Sequence, residues 1–248
     1  MSLSDFSRDY FRTLADSENL AIRSGRSADN NEIEFFVWED IQRKLHFGDN
    51  QTILDLGCGC GNIVNWLIDY SIKHDCNLWL MDDDKIINKI NITNDSVIHT
   101  LKGYFLKDFG VNYFREKFDI IIMYSVLHYV DHVEKFVLNL VKLLNEDGKI
   151  LIGDIPNQSK KARLLTSVKG SNFERAYKNM PPESKPLFDS YADYFDSLPA
   201  GIPLDDDFLL MLISKLRRLG YDTYLVPQPA KLPYNLTCED LLIKKRLC

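Results

Sequence analysis

No stretch of the chain approaches the roughly 18 consecutive apolar residues that a membrane helix requires. The opening "MSLSDFSRDYFRTLADSENL" has charges where a secretory leader would carry a long apolar segment. Cysteine is sparse. Five thiols, at Cys58, Cys60, Cys76, Cys238 and Cys248, are odd in number and irregular in spacing, which argues against a disulfide framework and for a reducing compartment. A basic excess is also missing. With a net charge of −6, the chain lacks the electrostatic signature of a nucleic-acid binder. The expectation is a cytoplasmic protein with neither membrane nor nucleic acid as its main partner.

What is present suits one globular domain. The chain has 248 residues, 45% of them hydrophobic, enough to bury a large core without staples. Residues 1–50 read as a helical cap, with Tyr10, Phe11 and Leu14 on one face and "EIEFFVWEDIQRKL" amphipathic. Short aliphatic runs then alternate with helical patterns. Strands are predicted at 51–56, 77–82, 96–101, 118–126 and 149–155, and helices at 62–72 and 133–144. That alternation predicts a parallel sheet covered on both faces. Within the helix at 62–72, Ile63, Trp66, Leu67 and Tyr70 are expected to face inward. Residues 156–205 hold most of the prolines and no clear strand, and read as a substrate lid inserted in the core. "DDDFLLMLISKLRRLG" is a helix with acids at its start and bases at its end. Two strands, 221–229 and 238–246, follow as antiparallel neighbours.

Glycine is used unevenly, and three of the 12 fall within "LDLGCGCGN", at Gly57, Gly59 and Gly61. A strand ending in Asp55 and followed by alternating glycines lets the backbone turn sharply and approach a ligand. That ligand would lie beyond the carboxyl ends of the strands. Cys58 and Cys60 supply at most two metal ligands, with no matching pair nearby, so no metal is expected. A dinucleotide site would show G-x-G-x-x-G, whereas this is G-x-G-x-G with an acid two residues ahead. An acid repels a pyrophosphate but suits a cofactor with a cationic amine, such as S-adenosylmethionine.

With these residues in place, the chain resembles a class I S-adenosylmethionine-dependent methyltransferase. "LDLGCGCGN" matches that family's first motif, and the element order agrees over 51–155 and again at the last helix and two strands. The resemblance implies a doubly wound, Rossmann-like seven-stranded sheet with one antiparallel strand, and S-adenosylhomocysteine as product. By position it implies that Asp82, with Asp83 as second choice, binds the ribose hydroxyls, and a carboxylate suits a vicinal diol. Asp84 then reads as a helix N-cap. The family's Gly-Asp after the third strand is Gly103-Tyr104 here, leaving Tyr104 or Phe105 to cover the adenine, or Asp108 to reach it. Tyr124 and Ser125 would lie beneath the methionine part, and Arg26 could pair with its carboxylate.

His128 follows the fourth strand at the spacing of the base in plant-type O-methyltransferases, though Tyr-Val stands after it where those have Asp-Trp. It is the candidate catalytic base. His132, at a helix start, is expected to lie outside the site. Asp154 ends the fifth strand and is expected to face the acceptor. Lys160, Lys161 and Arg163 follow, and a basic cluster at a pocket mouth suggests an anionic small molecule. "GDIPN…KKARLL" and "PQPAKLPYN" are loosely similar to methyltransferases of bacterial surface-polysaccharide clusters, which favours a sugar acceptor. The alternatives are an inactive methyltransferase-like scaffold or a nucleic-acid methyltransferase, although no Asn/Asp-Pro-Pro-Tyr-like motif follows strand four.

Overall fold

The structure, a computed structural model, describes residues 3–26, 31–92, 96–198 and 204–246. Three helices come first: α1 (Leu3–Leu14), α2 (Leu20–Arg23) and α3 (Asn31–Leu45). The alternating part runs β1 (Thr52–Leu56), α4 (Asn62–Lys73), β2 (Asn77–Asp82), α5 (Asp84–Ile87), β3 (Ile98–Lys102), β4 (Phe118–Tyr124), α6 (Val133–Leu140) and β5 (Leu144–Pro156). Helices α7 (Gln158–Leu165), α8 (Val168–Tyr177) and α9 (Tyr191–Asp196) follow, then α10 (Asp206–Arg218), β6 (Tyr221–Val226) and β7 (Cys238–Lys245).

The seven strands order as β3-β2-β1-β4-β5-β7-β6, and β7 alone runs antiparallel to its neighbours. Strand residues alternate between two cores. Ile53, Leu78, Leu80, Ile120 and Ile122 pack beneath α3 and α4. Leu54, Ile121, Met123, Ile150 and Ile152 face α6 and α10, where Leu209, Leu212 and Leu216 are fully buried. Continuous aliphatic strands bury both faces, as a parallel sheet needs. The order reverses between β1 and β4, so their carboxyl ends open a crevice there. Among the described residues no helix is long and apolar enough to cross a membrane.

Several local expectations need correction. Val64, Leu67, Ile68 and Ser71 are the buried residues of α4, while Ile63, Trp66 and Tyr70 are only partly covered. The reason is α3, which packs on the flank of α4 and brings Phe35 edge-on to Trp66 at 6.1 Å. Asp83, not Asp84, caps α5, accepting the Lys85 N–H at 3.1 Å. Strand β4 stops at Tyr124 because Ser125 turns to φ 57°. Strand β5 starts at Leu144 instead of 149, with Asp147 at φ 58° inside it. Helices α7 to α9 form a satellite around Ala162, Leu165 and Tyr194.

Candidate active site

The first glycine turn shows why each glycine is there. Gly57 has φ +72°, and a Cβ on it would stand 2.6 Å from Val126 Cγ2, where the ends of β1 and β4 touch. Gly59, at φ +63°, has nothing within 4 Å of a notional Cβ, so its backbone is open to a ligand. Gly61 serves packing instead. A Cβ there would fall on Ser24 Oγ and come within 3.1 Å of the Leu20 carbonyl oxygen, so it lets the cap seat against α4.

Two buried carboxylates flank this turn. Burial, with the nearby Asp82 charge adding, pushes Asp55 up to about 8. No cation among the described residues offsets that cost. Burial likewise pushes Asp82 up to about 6, against the opposing pull of two backbone hydrogen bonds. Those bonds come from Gly59 N–H to Oδ2 at 2.9 Å and Asp83 N–H to Oδ1 at 2.7 Å. A carboxylate has about four acceptor positions, so about half of Asp82's remain free.

Asp83 is spent differently. Its Oδ1 accepts from Arg12 Nε at 2.8 Å and from the Lys85 N–H, and its Oδ2 accepts the Tyr104 hydroxyl at 3.0 Å. Burial raises its carboxyl, but the Arg12 hydrogen bond and its other partners bring it below the usual range. Of the two ribose candidates, Asp82 is thus the one with capacity to spare. Asp108 does not reach the cavity, because its Oδ2 accepts the Tyr104 N–H at 2.8 Å.

These groups wall one cavity of about 580 Å3 above the switch point, within the range of small-molecule sites. Asp55, Gly57, Gly59, Gly61, Asp82 and Asp83 line its β1–β2 side. Tyr104, Phe105, Tyr124 and Ser125 line the rest of the strand ends, and Arg26 reaches it from the cap. Phe105 doubles as a core ring, packed edge-on to Phe136 at 5.3 Å. Arg26 Nη1 is buried with no partner among the described residues.

The expected catalytic and acceptor residues do not line this cavity. His128 is half-buried in the short turn after β4 and does not line the large cavity. Burial lowers its pKa, partly offset by the negative charge of Asp154, and its Nδ1 has no partner among the described residues. Asp154 is held near the end of β5, where its Oδ2 accepts the Ser125 hydroxyl at 2.5 Å. Lys160, Lys161 and Arg163 do not stand at the mouth of the cavity. Lys160 Nζ is drawn to the carbonyls of Cys238 at 2.6 Å and Asn235 at 2.8 Å, and Arg163 pairs with Asp206 at 2.7 Å. No described residue of 156–205 walls the large cavity.

Sequence reasoning missed other wall residues. His132 and Lys135 line the cavity, although the helix start at His132 looked remote from it. Phe11 closes it from α1, edge-on to Tyr129 at 5.7 Å. Its place on an apolar helical face was a signal for burial, not for a site. Arg12, which immobilises Asp83 from 71 residues away, left no sequence signal.

A family model described as a methyltransferase domain matches residues 54–150. A ubiquinone biosynthesis O-methyltransferase of Rickettsia bellii (strain OSU 85-389) is 29% identical over 133 residues, covering 49% of this chain and 50% of that protein. The chain thus spans about half the length of the curated relatives it matches. Two solved structures share the fold. Phosphoethanolamine N-methyltransferase 1 of Haemonchus contortus, crystallised with phosphoethanolamine and S-adenosylhomocysteine, has a TM-score of 0.61 at 15% identity, over 99% of this chain and 49% of that one. The plantazolicin methyltransferase BpumL, crystallised with a triazolic desmethylPZN analog and SAH, has a TM-score of 0.58 at 15% identity, over the whole of both chains.

Proposed function

We propose that this chain, whose residues 54–150 carry a methyltransferase domain on a class I fold, binds S-adenosylmethionine and moves its methyl group to an oxygen of a small-molecule acceptor. The observation that carries this reading is the pair of buried carboxylates on the cavity wall. Asp55 has no cationic partner among the described residues and Asp82 has acceptor capacity left over. A ligand with an ammonium and a vicinal diol supplies what each lacks. Beside them Gly59 offers open backbone. Tyr104 and Phe105 form the aromatic wall, and Arg26 brings a guanidinium for a carboxylate.

When bound, S-adenosylmethionine supplies an already electrophilic methyl group. The chain's own work is to hold, orient and deprotonate. The cap closes the cavity from above through Phe11 and Arg26. His128 stands just behind the wall, its ring centroid 3.9 Å from that of the cavity-lining Tyr129. Kept neutral by burial, it is the base proposed for the acceptor hydroxyl's proton, a role that requires its ring to turn into the cavity. The relatives named for O-methyl transfer support oxygen as the acceptor atom. Lys160, Lys161 and Arg163 give an anionic acceptor no support, because none of them lines the cavity and Lys160 and Arg163 are engaged elsewhere. The 156–205 segment is proposed to cover the acceptor side, where Tyr177 meets Tyr234 hydroxyl to hydroxyl at 3.2 Å.

The test is transfer of label from methyl-labelled S-adenosylmethionine to hydroxylated acceptors. His128→Ala is expected to lower kcat by about a hundredfold or more, the lower end of general-base effects, with S-adenosylhomocysteine affinity unchanged. Turnover at the wild-type rate would remove His128 from this role.

A further inference from the structure

A second chamber, of about 20 Å3, lies against the large cavity, and Arg26 and Tyr124 wall both. Asp154, Gln228 and Tyr234 close its polar side, and Val37 and Leu232 its apolar side. A space of that size seats a single oxygen, since a water needs roughly 10–15 Å3 on this measure. Two polar atoms of its wall residues have no partner among the described residues: Arg26 Nη1, a donor, and Gln228 Oε1, an acceptor.

The amide of Gln228 is nine-tenths buried and cannot turn round. Its Nε2 donates to Asp240 Oδ1 at 2.9 Å and to Asp154 Oδ1 at 3.2 Å, and a flip would set its oxygen against two carboxylates. Asp240 is itself anchored, accepting from Lys44 Nζ at 2.6 Å and from the Asp154 N–H at 2.8 Å. Asp154, at a register shift two residues before the end of β5, and Ser125, just past β4, both take left-handed conformations, φ 56° and 57°, and their side chains bond to each other. A strained residue, Asp154, is thus fixed on the chamber wall by Gln228 and Ser125, and such strain is found at binding sites.

The chemistry of the wall restricts the occupant. A carboxylate or phosphate would accept from Arg26 but set lone pairs against Gln228 Oε1 and charge against Asp154. An ammonium would satisfy Gln228 and Asp154 but set its charge against the Arg26 guanidinium. A hydroxyl accepts from Arg26 and donates to Gln228 at once. We propose that this chamber anchors a neutral hydroxyl of the methyl acceptor. The group seated here is therefore uncharged, and the acceptor has at least two oxygens, one anchored here and one in the large cavity. This rests on the methyl-transfer reading and names the substrate class for it.

The test uses wild-type protein saturated with S-adenosylhomocysteine and titrated calorimetrically with phenol, the 1,2-, 1,3- and 1,4-dihydroxybenzenes, and the three hydroxybenzoates. At least one dihydroxybenzene is expected to bind about tenfold or more tighter than both phenol and the hydroxybenzoate of matching geometry, the size expected when a buried polar pair is satisfied. Gln228→Met is expected to reduce that preference to within about twofold of phenol, with S-adenosylhomocysteine affinity held within about twofold. A crystal structure of the wild-type ternary complex should show the second hydroxyl inside the chamber, so the proposal does not depend on the variant folding. Equal binding of phenol and every dihydroxybenzene, tightest binding of a hydroxybenzoate, or a trapped water retained in the chamber would each overturn it. Failure of S-adenosylhomocysteine itself to bind is a separate outcome, and would remove the methyl-transfer reading as well.

Discussion

Asp55 stabilises a future complex at the expense of the free fold. Between its ordinary value of 3.8 and its folded value of about 8, the native state holds a proton that the unfolded chain has lost. Stability from this group is therefore full below about 3.8 and drains away as pH rises toward 8. Asp55→Asn removes the drain. The variant is expected to melt at least about 2–4 °C above wild type at pH 8, the shift that roughly 1 kcal/mol produces in a domain of this size. The gap should close toward pH 4, and a melting series across that range checks it. A cationic ligand group beside Asp55 would also expel this proton. The calorimetric enthalpy of S-adenosylhomocysteine binding at pH 7 should thus depend on the ionisation enthalpy of the buffer in wild type, and lose that dependence in the variant. His128 runs the opposite way. Burial depresses its pKa, so the neutral base persists below the ordinary 6.5, and kcat should fall only as pH drops past that point.

At the scale of elements, the site is a seam between the sheet edge and the cap. Gly61 is the contact that lets them meet, and Gly61→Ala would push on a backbone carbonyl, Leu20 O, as well as on Ser24. Urea unfolding should show a loss of about 1–3 kcal/mol, the usual cost of overpacking. The strand and helix alternation was legible because its periods are local. The motif around Asp55 was legible because glycine at fixed offsets from an acid has few other uses. Boundaries failed where tertiary contacts decided them. The second flank of α4 became visible only when α3 lay beside it, and the N-cap moved to Asp83 because Arg12 and Tyr104 fix that side chain. Lys160 and Arg163 looked free in sequence, and only the fold brings Cys238 and Asp206 to meet them.

At the scale of the whole molecule, the cap is tied by a buried ion network to β7, the strand inside the β6 edge of the sheet. Lys44 of α3 binds both Asp40 and, at 2.6 Å, Asp240 of β7, and all three are buried. Lys44→Met would leave the buried Asp240 with neutral donors alone and Asp40 with Arg43 as its cation. It is expected to cost about 3 kcal/mol, the low end for breaking a buried pair, measurable by denaturant titration. Nothing in the sequence pairs residues 196 positions apart, so this tie and the small chamber behind it could be found only in the folded chain. The central claim is that the cavity at the β1–β4 switch point holds S-adenosylmethionine through Asp82 and Asp55. Calorimetric titration with S-adenosylhomocysteine tests it most directly. Wild type is expected to bind one equivalent, and Asp82→Ala at least about tenfold more weakly, as loss of a buried charge-assisted pair of hydrogen bonds requires. No binding by wild type, or equal affinity in a folded Asp82→Ala variant, would contradict the assignment.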